Sequence, residues 1–251
     1  MIGLAMTRLF LSMGLIAFGL ALGYTIQRLA EQGAVRLPVP MDALRKGLQK
    51  AALLFFNPVA IVGAVWIVDI GSVRLIALPF LGLLALLAGG VLALLAGRLL
   101  RLGPRQKGAL FPCGSFTNLG SVGALVCFVF LGEEGFALVP IYKLFEETAY
   151  YAVGFPIARY YSTGVRGGAG AGERLRGLLR DPFILAAVTS IALGGALNLS
   201  GLDRPRIYGT VNAVFVPAAT VLLLTSIGLA LRFRKVKEYV RECVSVSLIK
   251  F

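Results

Sequence analysis

The chain has 251 residues, of which 58% are hydrophobic and only 15% charged, with a mean hydropathy of +0.85. About a quarter of the residues of a soluble domain are charged, so this balance excludes one and indicates a polytopic membrane protein. The 25 Lys and Arg against 12 Asp and Glu are scattered over short loops, which argues against nucleic acid as a partner, and the lack of histidine removes imidazole metal sites and the commonest general base.

Taken in chain order, seven apolar segments reach the length of about 20 residues that a spanning helix needs. They lie near 9–27, 51–68, 75–97, 108–131, 136–158, 182–199 and 207–231, and the start of an eighth follows. The first is too long for a signal peptide and lacks a small-residue cleavage site before the next basic loop. Arg8 alone precedes it. The next loop carries Arg28, Arg36, Arg45, Lys46 and Lys50, and the one after it only Arg74. Arg98, Arg101, Arg105 and Lys107 follow, then "GEEG" with none, then Arg159, Arg166, Arg174, Arg176 and Arg180. Arg204 and Arg206 come next, and Arg232, Arg234, Lys235, Lys237 and Arg241 close the series. Rich and poor loops alternate, which is the positive-inside pattern. It predicts an integral membrane protein, in a plasma (inner) membrane, with the N-terminus outside and residues 232–241 cytoplasmic. Cys113, Cys127 and Cys243 are too few, in too apolar a setting, for a disulfide framework.

A Gly- and Arg-rich stretch over 162–181 reads as a flexible cytoplasmic linker. Short matches flank it in the same order. "GLALGYTI" (19–26) pairs with "SIALGGAL" (190–197), and "LFFNPVAI" (54–61) with "AVFVPAAT" (213–220), aligning Phe56 with Phe215 and Pro58 with Pro217. Helices 1 and 6 would cross in opposite senses, the arrangement of an inverted repeat. The predicted fold class is therefore an all-α membrane protein. Residues 1–161 form a first five-helix repeat and 182–251 an incomplete second one.

The fourth segment is poor for a lipid-facing helix. Cys113, Gly114, Ser115, Thr117, Asn118, Gly120, Ser121 and Gly123 fall within it. Such residues suit either close helix packing or an unwound crossover lining a cavity at membrane depth. The fifth holds "IYKLFEETAYY", with Lys143, Glu146 and Glu147 near its centre. Each charge there costs about 2.5–3.5 kcal/mol on insertion scales, so all three should face protein or water. Lys143 is three and four residues from the glutamates and reaches both on one helical face. The group is either an internal ion-pair cluster or a site for a coupling proton or cation. Asn57 before Pro58 is either a strut between helices or a cavity ligand, Asn198 is interfacial, Glu133 and Glu134 are solvated in an external turn, and Trp66 belongs to an aromatic belt.

The stretch "SFTNLGSVGALVCFVFLGEEGFALVPIYKLFEETAYYAVG" resembles helices 4 and 5 of the auxin efflux carrier family of membrane transporters. The likeness is carried by Asn118, Gly120 and Gly123, by Gly132 to Gly135, and by Tyr142, Leu144 and Phe145. "DPFILAAVTSIALGGAL" and "VPAATVLLLTSIGLAL" resemble its sixth and seventh helices. The resemblance implies a bile acid/sodium symporter-like fold of ten helices, in which a scaffold domain is paired with a transport domain and helices 4 and 9 cross at broken points. It implies a small organic anion as substrate, a proton or sodium as coupling ion, and a homodimer in the lipid bilayer. Where the family commonly has a proline at the crossover, this chain has Leu125.

The expected site is Ser115, Thr117, Asn118, Gly120, Ser121, Glu146 and Asn57 for substrate, and Lys143, Glu146 and Glu147 for ion coupling, with no metal or cofactor. An enzyme is disfavoured because the carboxylates sit together on one helix, and no phosphate-binding loop motif is present. The last helices of the family plan find no counterpart, so the alternative to a permease is a truncated non-transporting remnant or a membrane subunit completed by another chain.

Overall fold

The computed structural model describes residues 2–69, 73–163, 180–233 and 239–250. The expected linker over 162–181, and Arg234, Lys235 and Lys237 of the tail, fall largely or wholly outside them. Among the described residues the chain is all-helical, at 83% helix with no strand. Six helices are long and apolar enough to cross a membrane: Met6–Glu31, Met41–Val65, Leu75–Leu99, Pro104–Tyr142, Pro182–Leu199 and Ile207–Gly228. An apolar, nearly charge-free helix of this length has no stable place in water, and the chain is an integral membrane protein.

The helices are α1 (Ile2–Glu31), α2 (Met41–Ala51), α3 (Asn57–Val65), α4 (Val73–Leu99), α5 (Pro104–Ser115), α6 (Ala124–Tyr142), α7 (Glu146–Ala149), α8 (Phe155–Thr163), α9 (Pro182–Leu199), α10 (Ile207–Gly228) and α11 (Val240–Lys250). Wide π turns over Ala52–Phe56 and Tyr150–Gly154 join α2 to α3 and α7 to α8. Pro58 and Pro156 stand two residues past these turns. A proline ring clashes with the carbonyl four residues back, here Leu54 and Ala152, and widening the helix at those residues relieves the clash.

Two breaks matter for function. Between α5 and α6 the chain leaves the helix at Phe116 (φ −75°, ψ 145°) and turns at Asn118 (φ −102°, ψ 37°) before a π turn over Leu119–Gly123. Asn118 Oδ1 accepts the Ser121 hydroxyl at 2.5 Å, a local bond that competes with helix continuation. The second break corrects an expectation. The segment 136–158 is not one helix, because α6 ends at Tyr142 and a turn over 143–145 precedes α7. Lys143 and Glu146 are therefore at a helix break, not midway along a continuous helical face. The "GEEG" stretch, expected as a loop between two helices, is a one-residue break: Gly132 is non-helical (φ 72°, ψ −158°) and divides α6 into a helix before it and a helix after it. Only glycine adopts that conformation cheaply.

The chain forms two compact units. Unit 1 comprises residues 1–75, 118–141 and 185–231. Its apolar core is built from Ala60, Ile61, Ala64 and Val65 of α3, Phe136, Ala137 and Val139 of α6, and Val216 of α10. α1 packs on α10 through small residues. A Cβ at Gly23 would lie 2.8 Å from Leu229 N and 2.9 Å from Gly228 Cα, and one at Gly19 would lie 3.2 Å from Val221 O and 2.9 Å from Leu224 Cβ. Without a hydrophobic driving force between helices in lipid, such close backbone approach carries the association. Gly23→Leu should cost about 3 kcal/mol through overpacking, read as thermal stability in detergent. Gly14→Leu, where a Cβ meets nothing within 4 Å, should leave stability unchanged.

α9 meets α3 in the same way. A Cβ at Gly194 would lie 2.9 Å from Val62 O and 2.9 Å from Val65 Cβ, and Asn198 Nδ2 donates to Trp66 O at 2.7 Å and Val68 O at 2.8 Å. Asn198, expected to be interfacial, caps the C-terminal carbonyls of α3. These contacts repeat those of α1 on α10. The register that aligns Pro58 with Pro217 also aligns Val62, Val65 and Trp66 with Val221, Leu224 and Thr225. Gly194 and Asn198 then stand where Gly19 and Gly23 do, since the Cβ of Gly23 would overlap Thr225 O. Phe56 and Phe215, aligned in sequence, are themselves in contact, with ring centroids 4.9 Å apart.

Unit 2 comprises residues 76–117, 142–184 and 232–251. Leu86, Ala149 and Tyr150 form its buried apolar centre, with Leu83 and Phe116 packed on it. α4 and α5 approach through glycines: a Cβ at Gly89 would lie 2.5 Å from Gly114 O, and one at Gly114 2.6 Å from Ala93 Cβ. The same unit ties α11 to α5 through Gln106 Nε2, which donates to Glu242 Oε1 at 3.1 Å.

Candidate functional site

The break after α5 and the break before α7 meet inside unit 2. Ser115 ends α5, wholly buried, and its hydroxyl donates to Leu86 O at 2.9 Å, which fixes the end of the helix against α4. The next residue, Phe116, stacks on the Tyr150 ring at 3.8 Å between centroids. Gly154 lies beneath it, where a Cβ would come within 2.6 Å of the Phe116 ring tip. This stacking brings the unwound backbone at Thr117 to the π turn, and Thr117 N–H donates to the Tyr150 hydroxyl oxygen at 3.1 Å. A backbone donor freed by the break thus finds a partner without a helix.

Glu146 is the centre of the arrangement and is only 4% exposed. Its Oε1 accepts the Thr117 hydroxyl at 2.6 Å and the Tyr150 hydroxyl. Its Oε2 lies 3.3 Å from Lys143 Nζ, at ion-pair distance. The ammonium is close enough to balance the charge but not aligned for a hydrogen bond, and Oε2 remains a buried acceptor without a directed donor. Beside it is a cavity of about 250 Å³, lined by Gly82, Ala85 and Gly89 of α4 and by Ser115, Thr117, Tyr142 and Glu146. Glycines and alanines make room here, while the polar atoms gather at one end.

Of the expected site residues, Ser115, Thr117, Lys143 and Glu146 come together in unit 2. Asn118, Gly120, Ser121 and Asn57 belong to unit 1. There Ser121 is buried, and its carbonyl accepts the Thr220 hydroxyl at 3.4 Å. Asn57 is half-buried at the start of α3. The Glu147 side chain lies outside the described residues. Tyr150 and Tyr142 were not anticipated, although Tyr150 had a signal in the sequence: it stands four residues after Glu146, within reach on the same helical face. Tyr150→Phe keeps the stacking on Phe116 but removes the hydroxyl that serves both Thr117 and Glu146. It should cost about 1–3 kcal/mol, the price of a buried polar group left unpaired, read as a lowered Tm.

Compared with known proteins, the chain matches no family model, no curated protein and no solved structure.

Unit 1 holds a second polar cluster, and it corrects the expectation that Glu133 is solvated. Just past the Gly132 kink, the Glu133 carboxylate pairs with Arg204 through both oxygens. Arg204 Nη1 also donates to Gly63 O at 2.9 Å, and Asn212 Nδ2, fully buried, donates to Glu133 Oε2 at 2.9 Å. Trp66 stands nearby, with its indole N–H donating to Leu202 O at 2.9 Å and its ring edge-on to Tyr208. Glu133 thus fastens α6 to α3, to α10 and to the segment before it. Glu134 is exposed, as expected.

Proposed function

We propose that the protein is a secondary membrane transporter that moves a small organic solute by alternating access, with the unit 2 cavity as its solute site. One observation carries the reading: two helix breaks, one of them within the candidate span Pro104–Tyr142, meet at Thr117, Glu146 and Tyr150 beside a cavity. Non-helical backbone at membrane depth is tolerated only within protein or along a cavity, and discontinuous helices with polar groups at the break are how transporters build such sites. A buried intramembrane carboxylate beside a lysine points the same way. The resemblance of residues 115–154 to auxin efflux carriers supports the same function, with an organic anion as the family's usual cargo and a proton or sodium as coupling ion.

The matched contacts of α1 on α10 and α9 on α3 support an inverted repeat. In a two-fold arrangement equivalent residues touch each other only near the axis, as Phe56 and Phe215 do. The contacts pair Gly19 with Gly194, one helical turn from the register of the sequence match. The proposed orientation has the N-terminus outside and residues 232–241 in the cytoplasm.

The test is solute counterflow in proteoliposomes, where preloaded unlabelled solute drives entry of trace labelled solute. A panel of small carboxylates, amides and amino acids should contain at least one that exchanges above protein-free vesicles. Exchange of none contradicts the proposal. Reporter fusions check the orientation: a phosphatase fused after Glu134 should be active and one fused after Phe233 inactive, and the reverse pattern contradicts it.

A further inference from the structure

In unit 2, α4 ends in a basic turn whose charges are left over by the fold. Leu102 N–H donates to Gly97 O and Arg101 N–H to Arg98 O, both at 3.0 Å, which satisfies carbonyls of the last helical turn. Arg101 takes the left-handed conformation (φ 52°) that such a cap usually gives to glycine. The turn draws the backbones of Arg98 and Arg101 together, and Arg105 follows in the first turn of α5. All three are exposed, and among the described residues none has a side-chain ion pair or hydrogen bond. No Asp or Glu occurs between Asp69 and Glu133. The carboxylate that α11 brings to α5, Glu242, accepts from Gln106 Nε2.

The same face of α4 is apolar all the way to this turn. Leu95, Val91, Leu87 and Leu84 stand 3, 7, 11 and 14 residues before Arg98, the spacing of one helical face, and all four are exposed. From Leu87 to Arg98 the helix rises about 16 Å, roughly half of a ~30 Å hydrocarbon core and so the depth of one leaflet. An apolar stripe of that depth with guanidinium groups at its end is complementary to a phospholipid, which has acyl chains below and a phosphate above. Arginine grips phosphate oxygens through paired N–H donors. A zwitterionic headgroup brings its own ammonium to the arginines and cancels much of the attraction, whereas an anionic headgroup keeps it. In the proposed orientation this end lies at the cytoplasmic leaflet, where anionic lipids attract clustered basic residues.

We propose that the end of α4 binds an anionic phospholipid, its phosphate held by Arg98 and Arg101 with Arg105 beside them, and an acyl chain lying along Leu87, Val91 and Leu95. Such binding needs only the membrane setting and is independent of transport.

The test mixes the detergent-purified full chain with dioleoyl phosphatidylglycerol or dioleoyl phosphatidylcholine and reads retained lipid by native mass spectrometry. The anionic lipid should bind about tenfold more tightly than the zwitterionic one, and Arg98→Gln with Arg101→Gln should reduce that preference to about twofold. Arg101→Gly removes one charge and suits the left-handed turn. It should weaken retention of the anionic lipid severalfold without lowering the Tm, which separates loss of the site from misfolding. Lys46→Gln with Lys50→Gln takes the same charge from exposed positions of α2 and should leave the preference unchanged. Inorganic phosphate in large excess should not displace the lipid. Equal retention of the two lipids would overturn the inference and leave the stripe an ordinary lipid-facing surface. An equal loss from the α2 pair would assign the preference to net charge alone, and displacement by inorganic phosphate would assign the turn to a free anion. A dimer that retains no lipid would give the face to a second copy of the chain; each of these three results also overturns it.

Discussion

Replacing Glu146 by alanine should abolish counterflow, lowering the initial rate at least a hundredfold, while the protein still inserts. The residue is 4% exposed and holds three partners at once: the hydroxyls of Thr117 and Tyr150 and the ammonium of Lys143. Removing it leaves the lysine without its counter-charge inside the bundle, which costs about 3–5 kcal/mol in comparable buried pairs. It also releases the hydroxyl that holds the break at Thr117 against α7. The rate loss therefore has two sources, a vanished ligand and a loosened crossing. Lys143→Ala in the Glu146→Ala background separates them. It removes the orphaned charge and should recover thermal stability, by about 2 kcal/mol, without recovering flux. Recovery of both would assign Glu146 a purely structural role.

The second large effect belongs to unit 1. Glu133→Gln or Arg204→Gln should each destabilise the protein by about 2–4 kcal/mol, at the lower end of buried-pair values because both side chains keep some exposure, 19% and 15%. The double variant should cost less than the two singles added together, with a coupling of about 2 kcal/mol. The loss should be larger for Arg204→Gln, because Gly63 O loses a donor as well. Additive effects from the two singles would mean that the pair is a surface contact of little energetic weight. The same variants keep the unit 2 cavity intact, so solute binding per folded molecule should not change.

Much of the fold was legible because helix length and apolarity in a membrane are dictated by bilayer thickness. Six of the seven expected segments correspond to spanning helices or parts of them. The exception, 136–158, shows what periodicity misses. Its residues are apolar enough to continue as one helix, but beside the turn at 143–145 Glu146 is held by a partner distant in sequence, Thr117. At "GEEG" the break between helices was legible, at Gly132, but the surroundings of Glu133 were not. Two glutamates and two glycines look like a solvated turn until Arg204 and Asn212, some seventy residues on, supply a carboxylate partner. At the candidate site, Ser115, Thr117, Lys143 and Glu146 were readable from polar residues in an apolar run. Their division from Asn118, Gly120, Ser121 and Asn57 was not, because a break in a helix lets adjacent residues join different units. The likeness of α3 to α10 was visible in Pro58 and Pro217. The sequence match of α1 with α9 is a turn out from their contacts, because Gly19 and Gly23 offer the same small face at a spacing of one turn.

Alternating access at the unit 2 cavity is the claim on which the account turns, and site-directed labelling addresses it most directly. A single cysteine at Ala85, with Cys113, Cys127 and Cys243 replaced by serine, is reacted in sealed vesicles with a membrane-impermeant maleimide. The reagent is applied from either side, with and without a transported solute. The account predicts that Cys at this position reacts from both sides, that solute changes the ratio of the two rates, and that saturating solute slows both. Reaction from one side only, unaltered by any solute of the panel, would contradict it.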